Sequence, residues 1–547
     1  MSETSVGEVV SFENQSVPQE EARVSEGEAK KSKGFFRRPI RLFLNILRAF
    51  GKFLWKHKVF AVFFLPIFVF TLIAFRAFVQ PAVLWVRIQS FEFGCVALFL
   101  LWIRFWFKRK RLWPIIISCV VVAGGVSTII LGGFAPQRFL TLYNQYRKLE
   151  IVELDVLPKT LNDRVHPLNS IYTESNQRLS KSNSRSTMPD IVRWSDDSDV
   201  WTIGVEPKFA ESRLFGSVQV VRVLPANKVN LEFTPETEKE VFFDSGEDML
   251  FWKDLHYIVR QRFGLWKFLS YEPSNVKYVP GPDGEIVQVV ALVKWSGIFR
   301  PRPVPGGVFV FKQGHRNALY LAKRILVGEG EWIAPDKIKD HDWLAGQNIM
   351  PYSHSEHIGE SFRFQYGLLA PMPGRHKNDI RIPHLEGDVN QQPYTIHFDM
   401  PGKYPDKLYH FFALEPYQEK LKGVNTLVFI PADTIGPVYV YRAAERGDNI
   451  VGVTTVATRM RDVTKEYNAT DRIIFPAEHR PFFKEIDGKV RPGWLSTMVS
   501  RSMENKDEYL SSAAENFITD GSGGASFSVQ NYSPSKWVDV WKEKISE

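Results

Sequence analysis

Three long apolar stretches lie in the first quarter of the chain. Val59–Phe75 and Trp113–Phe134 contain no charged residue, and Phe91–Phe107 contains one acid and one base. A helix of about 20 apolar residues crosses the ~30 Å hydrocarbon core of a bilayer. The pattern therefore predicts three transmembrane helices within residues 59–134, the first of which extends to about Val86 if the Arg76 side chain reaches the interface. Buried helices of a soluble core are the alternative interpretation.

Beyond residue 134 the pattern changes to short apolar runs separated by proline, glycine, asparagine and aspartate. Runs of β-branched and aromatic residues with such boundaries predict strands. The predicted strands are Gly216–Leu224, Ile286–Trp295, Val308–Phe311, Phe362–Leu369, Tyr394–Phe398, Thr426–Ile430, Val438–Tyr441 and Ile450–Val456. Helical spacing of apolar residues occurs at 247–268 and 494–518. The fold class predicted for this region is mainly β or α+β, arranged in two lobes.

These patterns divide the chain into seven segments. They are an acidic, disordered tail (1–29), a basic amphipathic segment beside the membrane (30–58), the three transmembrane helices (59–134), a stalk (135–172), a flexible serine-rich loop (173–187), a first lobe (188–340) and a second lobe (341–547). The tail has few large apolar side chains, which is typical of disorder. The chain is thus predicted to be membrane-anchored, with its large C-terminal region outside the bilayer.

Charge is distributed unevenly along the chain. Residues 1–28 carry seven acids and one base, whereas residues 30–58 carry ten bases and no acid. The first 134 residues carry a net charge of +10, and the remaining 413 carry −2. Because a nucleic-acid-binding domain shows a basic patch on its folded surface, this balance argues against nucleic acid as a partner. The basic segment instead favours anionic lipids of the inner leaflet.

The basic residues also predict the orientation of the chain. Lysine and arginine are retained on the cytoplasmic side of a membrane, so the ten upstream bases and Lys108–Arg111 predict a cytoplasmic N-terminus. Three crossings would then place residues 135–547 outside the cytoplasm. Both cysteines, Cys95 and Cys119, lie in the apolar stretches, and their absence from the outward region fits a bacterial periplasm. The predicted location is the bacterial inner membrane.

The candidate chemistry centres on histidine. Seven of the 12 histidines fall within residues 341–410, and neutral imidazole is a common metal ligand. The tightest group, His354, His357 and Glu360, is the candidate metal site. The surrounding sequence PYSHSEHIGES predicts a loop rather than the rigid helix of a zinc hydrolase. The competing interpretation is surface or hydrogen-bonded histidines, whose substitution would change stability by about 0.5 kcal/mol.

Other catalytic and binding motifs are missing from the outward region. It contains no glycine-flanked serine elbow and no phosphate-binding glycine loop. Asp196, Asp197 and Asp199 lack the glycine and distal glutamate of a calcium loop, and so predict a solvated acidic turn. Phe299–Pro305 is proline-rich and predicts a rigid connection between strands, with an extended ligand for a partner groove as the alternative. The sequence indicates no cofactor.

Two functional classes fit these observations. The favoured hypothesis is a non-catalytic, membrane-anchored extracytoplasmic component of a cell-envelope protein assembly, acting as a scaffold or protein-binding module. Its expected partners are the lipid bilayer and other membrane or envelope proteins. The alternative is an extracytoplasmic metal-binding enzyme or binding protein that uses residues 341–410. A scaffold requires exposed apolar or aromatic patches, whereas an enzyme requires several titratable groups within hydrogen-bond reach in one cleft.

Overall fold

The computed structural model describes residues 58–88, positions 94 and 118, and, with short gaps, residues 136–546. The described chain is mostly β-sheet with a few helices. Its strands, in chain order, are β1 (Ile151–Glu153), β2 (Lys159–Leu161), β3 (Ser184–Ser186), β4 (Asp190–Ser195), β5 (Ser198–Pro207), β6 (Val218–Pro225), β7 (Glu238–Phe243), β8 (Tyr271–Pro280), β9 (Ile286–Ser296), β10 (Arg302–Phe311), β11 (Glu331–Ile333), β12 (Ile380–Arg381), β13 (Tyr394–Asp399), β14 (Lys407–Pro416), β15 (Thr426–Pro431), β16 (Val438–Tyr441), β17 (Arg472–Pro481), β18 (Lys484–Ile486), β19 (Lys489–Arg491), β20 (Gly493–Ser502), β21 (Tyr509–Asp520) and β22 (Ser526–Ser528).

Helices cover the faces and ends of the sheets. The α-helices of the described residues are α1 (Lys58–Ile88), α2 (Pro136–Tyr146), α3 (Leu168–Arg178), α4 (Ala210–Phe215), α5 (Leu255–Arg262), α6 (Ala318–Val327), α7 (Tyr352–Ser361), α8 (Ala443–Arg446), α9 (Val453–Thr464) and α10 (Trp537–Ser546). Short 3₁₀ turns lie at Phe251–Lys253, Pro335–Asp340, Asp342–Leu344, Phe362–Phe364 and Pro534–Lys536.

The fold class predicted from the apolar stretches, with three transmembrane helices, is corrected by the structure. Among the described residues, no helix has the length and apolar character needed to cross a membrane. The predicted second and third spans lie almost wholly outside the described residues. The first was expected to reach Val86, but Arg76, Gln80 and Arg87 donate hydrogen bonds to the β-rich body, so the end of α1 is packed on protein.

Two antiparallel sheets form the first half of the β-rich body, which comprises Phe75–Glu547. One has the strand order β11-β10-β9-β8, and the other has β3-β5-β6-β7 with β4 paired to β5. The two sheets share one apolar core of β-branched side chains, including Val192, Val221, Val289 and Val308. The second face of β8–β10 packs against α5. Arg302 and the prolines after it begin β10, paired with β9.

Two further large sheets and the short β18–β19 pair form the second half. A seven-stranded sheet has the order β1-β16-β15-β14-β13-β2, with β12 paired to β14, and a four-stranded sheet has the order β17-β20-β21-β22. Their shared core is aromatic and includes Phe398, Phe411, Phe429 and Trp494. The remaining face of the seven-stranded sheet is covered by α7, which therefore lies between this sheet and β10.

The segments preceding the predicted lobes take part in these sheets. Strands β1 and β2, from the segment predicted as a stalk, pair with β16 and β13. The serine-rich segment predicted as a flexible loop contains the end of α3 and the whole of β3. Backbone pairing therefore ties both segments to the β-rich body.

Candidate functional site

The predicted metal ligands lie on helix α7. The expectation of a loop here is wrong, since Tyr352–Ser361 is helical. Pro351 precedes the first turn, where the missing N–H of proline costs no hydrogen bond. Gly359 lets the helix approach the ring of Phe412, since an added Cβ would lie 3.0 Å from that ring. Packing on the sheet thus stabilises a helix that local propensity does not favour.

The three candidate ligands have different surroundings. Nδ1 of the buried His354 lies 3.0 Å from the carbonyl oxygen of Pro303, and Glu360 forms an ion pair with Arg138. The Nε2 atom of His357 is buried and has no hydrogen-bond partner. Burial lowers the pKa of His354 to about 4 and that of His357 to about 3, so both are neutral at pH 7. Within the described parts of the chain, no group of three or more histidine, cysteine or acidic residues is arranged to hold a metal ion.

We expect the purified full chain to contain no stoichiometric zinc, copper or iron, and its melting temperature to be unaffected by a chelator. His354→Ala/His357→Ala should nevertheless cost about 1–3 kcal/mol, because a buried hydrogen bond and buried ring volume are lost. Elemental analysis and thermal melts test both statements. Glu356→Ala, at an exposed site on the same helix, is the control. About one metal ion per chain, absent from the double variant, would establish the metal site instead.

A hydrogen-bonded series links Ser355 of α7 to His410 of β14 and then to Asn348. The Ser355 hydroxyl is 2.6 Å from Nδ1 of His410, and Nε2 of His410 is 2.9 Å from the Asn348 amide oxygen. Because that oxygen can only accept, Nε2–H donates to it and Nδ1 accepts from the serine. The serine, the histidine and the asparagine are thus arranged as a nucleophile, a base and a group that orients the base. All three are 0% exposed, however, so the series satisfies buried polar groups instead of offering a serine to substrate.

The same series continues into a buried ion pair. Asn348 donates to the hydroxyl of Tyr352 at 2.9 Å, and this hydroxyl donates to Oδ1 of Asp190 at 3.3 Å. Nζ of Lys277 lies 3.3 Å from the same carboxylate oxygen. Burial raises the pKa of Asp190 and lowers that of Lys277, and the attraction between the two charges opposes both shifts. The network ties α7, β4 and β8 together.

His397, on β13, joins two carboxylates. Its Nδ1 is 2.8 Å from Oδ2 of Asp199, and its Nε2 is hydrogen-bonded to Asp406. Burial alone would lower the pKa of His397, but the hydrogen bond and charge of Asp199, reinforced by Asp406, raise it. The expected solvated turn is therefore wrong for Asp199, which is buried. The other two acids of that motif, Asp196 and Asp197, lie outside the described residues.

Glu478 is the centre of a second buried charged cluster. Its carboxylate pairs with Arg164, lies 3.4 Å from Nη1 of Arg480, and accepts from the Leu168 amide at 2.6 Å. Its own amide donates to Asp388 at 2.7 Å. Burial, followed by repulsion from Glu478, raises the pKa of Asp388 to about 7. This cluster is enclosed like the Ser355–His410–Asn348 series, so its contribution is to packing.

An open groove, the Trp332 groove, lies beside β11. It has a volume of about 750 Å³ and is lined by Tyr271, Pro305, Trp332, Pro335, Lys339 and Ile435, among others. Ile435 is 62% exposed. Nζ of Lys267 lies 3.6 Å from the centroid of the Trp332 ring, and Nζ of Lys294 lies 5.7 Å from that of Tyr271. Aromatic rings flanked by ammonium groups suit a ligand that combines apolar surface with negative charge.

No protein-family model, curated protein or solved structure matches the chain. Its function must therefore be inferred from its own residues. Among the described residues, the Trp332 groove combines solvent access with several kinds of binding group, whereas the Ser355–His410–Asn348 series and the Glu478 cluster are buried.

Sequence reasoning missed the groove and the buried networks. The groove collects residues from β8, β9, β10, β11, the turn at Pro335–Asp340 and the loop at Ile435, most of which do not adjoin one another in the chain. Local patterns do not report such juxtapositions. The available signal was the sequence around Trp332, where an aromatic residue is followed by Pro335 and two lysines. The histidine-rich window was in fact divided among different environments: His397 and His410 lie in strands, His384 is exposed, and His376 lies outside the described residues.

Proposed function

We propose that the chain is a non-catalytic, protein-binding component of a cell-envelope assembly, and that the Trp332 groove holds the partner. The observation that carries this proposal is an open groove lined by aromatic rings and prolines, with ammonium groups beside it. A volume of about 750 Å³ accommodates several side chains of an extended segment. The location outside the cytoplasm rested on three crossings and stays a prediction.

The charges beside the groove define the chemistry of the partner. Lys294 and Lys339 line it, Lys267 covers one face of Trp332, and Asp336 is the acid in the lining. This excess of positive charge favours an acidic segment. Prolines and aromatic rings favour an extended chain, whose backbone is already ordered and loses little entropy on binding. The proposed ligand is therefore an acidic, extended polypeptide segment.

The alternative function, a metal-binding enzyme, has one observation in its favour. Nε2 of His357 is a buried imidazole nitrogen without a hydrogen-bond partner, and such an atom is available as a ligand. The elemental analysis described above decides between the alternatives. Metal bound at His357 would favour the enzyme or metal-binding alternative, which does not require the groove.

A photo-crosslinking side chain at position 435, introduced into the full chain in its native cells, is expected to capture an acidic protein segment. The same side chain at Tyr532, which is 44% exposed on a different part of the surface, is the matched control and should not capture it. Lys339→Glu should reduce the yield at position 435 by roughly tenfold or more, since each 1.4 kcal/mol of lost attraction is a factor of ten.

Two results would contradict the proposal. One is the absence of an adduct at position 435 from cells in which the protein is correctly folded. The other is an adduct whose yield is the same with Lys339→Glu as without it, because the lysines would then contribute nothing to recognition.

A further inference from the structure

From residue 75 onward, helix α1 directs its polar side chains toward the protein. Nε of Arg76 donates to the Gln261 side chain at 2.7 Å. Nε2 of Gln80 donates to the carbonyl oxygen of Tyr271 at 2.6 Å. Arg87 donates to two carbonyl oxygens at and just after the end of β9, at 3.1 and 2.7 Å. Burial lowers the pKa of both arginines, which nevertheless keep these partners.

The opposite face of the same helix is apolar and exposed. Phe75, Phe78, Val79 and Val86 are 54%, 46%, 53% and 48% exposed. Phe78, Val79 and Val86 follow Phe75 by three, four and eleven residues, and these spacings place the four side chains on one helical face. A surface helix in water has the reverse arrangement, with its apolar face inward. Over residues 75–88, the polar side chains of α1 thus face the protein and its large exposed side chains are apolar, which is the arrangement expected where the surroundings are apolar.

The exposed apolar face continues onto the β-rich body. The ring of Phe78 lies 5.7 Å from that of Phe251 and 5.1 Å from that of Tyr257. Phe251 is 47% exposed and has a φ of +52°, a sparsely populated conformation for a residue with a side chain. Phe215, at the end of α4, is 74% exposed. Its carbonyl oxygen accepts a hydrogen bond from Lys253, two residues after Phe251. Helix and body thus present one aromatic surface.

We propose that this surface, formed by Phe75, Phe78, Val79, Val86 and Phe251, docks on a lipid bilayer at the level of the headgroups and first methylene groups. This surface is distinct from the Trp332 groove, and the proposal does not depend on the function proposed for that groove. This proposal places the folded body in contact with lipid, with residues 75–88 of α1 lying in the interface and their arginines bonded to protein.

Lipid is favoured over a protein partner by the chain around this surface. Residues 59–75, which lead into it, contain no charge, and residues 30–58 before them carry ten bases and no acid. Such a basic segment is attracted to anionic headgroups. Aromatic side chains are also enriched at the boundary between headgroups and hydrocarbon. A single bilayer thus offers anionic headgroups to the basic segment and the headgroup–hydrocarbon boundary to the aromatic surface.

Nitroxide labels on the full chain test the contact with lipid. In a Cys95→Ser/Cys119→Ser background, single labels are placed by Val79→Cys, by Phe251→Cys and, as control, by Tyr172→Cys at an exposed site outside this surface. The protein is reconstituted with vesicles of phosphatidylcholine and phosphatidylglycerol. Collision with oxygen, which enters the bilayer, is compared with collision with a water-soluble nickel complex.

At positions 79 and 251, we expect the ratio of oxygen to nickel collision to rise severalfold when vesicles are present, while the ratio at position 172 stays that of an aqueous site. Ratios at 79 and 251 that match the control would overturn the proposal. So would labels shielded from both reagents, which would mean that another part of the chain covers the surface. Spin–spin broadening that appears with vesicles and disappears on dilution with unlabelled protein would assign the surface to a second copy instead.

Discussion

Glu478→Ala is expected to lower the free energy of unfolding by about 3–5 kcal/mol, because it leaves two buried guanidinium groups without their carboxylate. The Glu478 side chain is 0% exposed, and those of Arg164 and Arg480 are 6% and 1% exposed. Burial already lowers the pKa of Arg480 to about 10, which shows how costly its desolvation is. Urea unfolding of the full chain, analysed by midpoint and slope, measures the loss.

The matched control is Glu485→Ala, a few residues along the same part of the chain. Glu485 pairs with Lys159 at 2.6 Å, but these side chains are 49% and 40% exposed. A solvent-screened pair of this kind contributes about 0–1 kcal/mol. Equal losses for the two glutamates would show that water reaches the Glu478 cluster and that its charges are not confined by packing.

Strands with continuous β-branched runs were predictable from the sequence. The runs at 286–295, 308–311, 426–430 and 438–441 are confirmed as parts of β9, β10, β15 and β16. Each is buried along almost its whole length. Because both faces of these strands lie in apolar cores, burial and β propensity favour the same structure, and neither depends on distant residues.

Elements with mixed spacing were not predictable. The helix expected over residues 494–518 is wrong, since this segment forms the paired strands β20 and β21. Within it, Ser496 and Thr497 are fully buried. The Ser496 hydroxyl lies 2.7 Å from Nδ1 of His479 on β17, and the Thr497 hydroxyl donates to the side-chain oxygen of Asn516 on β21. The strand expected at 450–456 is also wrong, because α9 begins at Val453. In both segments tertiary contacts outweigh a weak local preference.

The buried networks could not be predicted because their members are distant in the sequence. His397 and Asp199 are separated by 198 residues, and Arg164 and Glu478 by 314. The histidine-rich window directed attention to His354 and His357, which are close in sequence, whereas the most strongly paired imidazole is that of His397. Histidines that cluster along the chain need not lie together in the structure, because the fold determines which side chains share a hydrogen bond.

The free energy of unfolding is expected to fall as the pH rises from about 7 to 9. Below that range the buried histidines with lowered pKa values act in the opposite direction, because the unfolded chain binds protons that they do not. Burial raises the pKa of Glu206 to about 7 and that of Glu247 to about 8, with nearby acids adding to both shifts. Asp388 is raised to about 7, and Asp199 and Asp406 raise His397 against its burial. In each case the folded protein holds a proton to a higher pH than the unfolded chain does.

This sign fixes the pH window for each group. A raised folded pKa contributes stability that is fully present below the unfolded pKa and is lost as the pH rises through the folded value. For Glu247 the loss runs from its ordinary value of 4.5 to about 8, and for His397 it runs upward from 6.5. At 1.36 kcal/mol per pKa unit, Glu247 alone changes stability on the order of a few kcal/mol.

Glu247→Gln should remove the largest part of this pH dependence, because the amide resembles the protonated acid in shape and does not titrate. We expect the variant to match the natural chain near pH 5 and to exceed it in stability near pH 9 by a few kcal/mol. Urea midpoints across this range measure the effect, and His384→Gln, at an exposed histidine, should leave the profile unchanged. A natural chain whose midpoint stays constant or rises from pH 7 to 9 would mean that these buried groups ionise in the folded state as easily as in water.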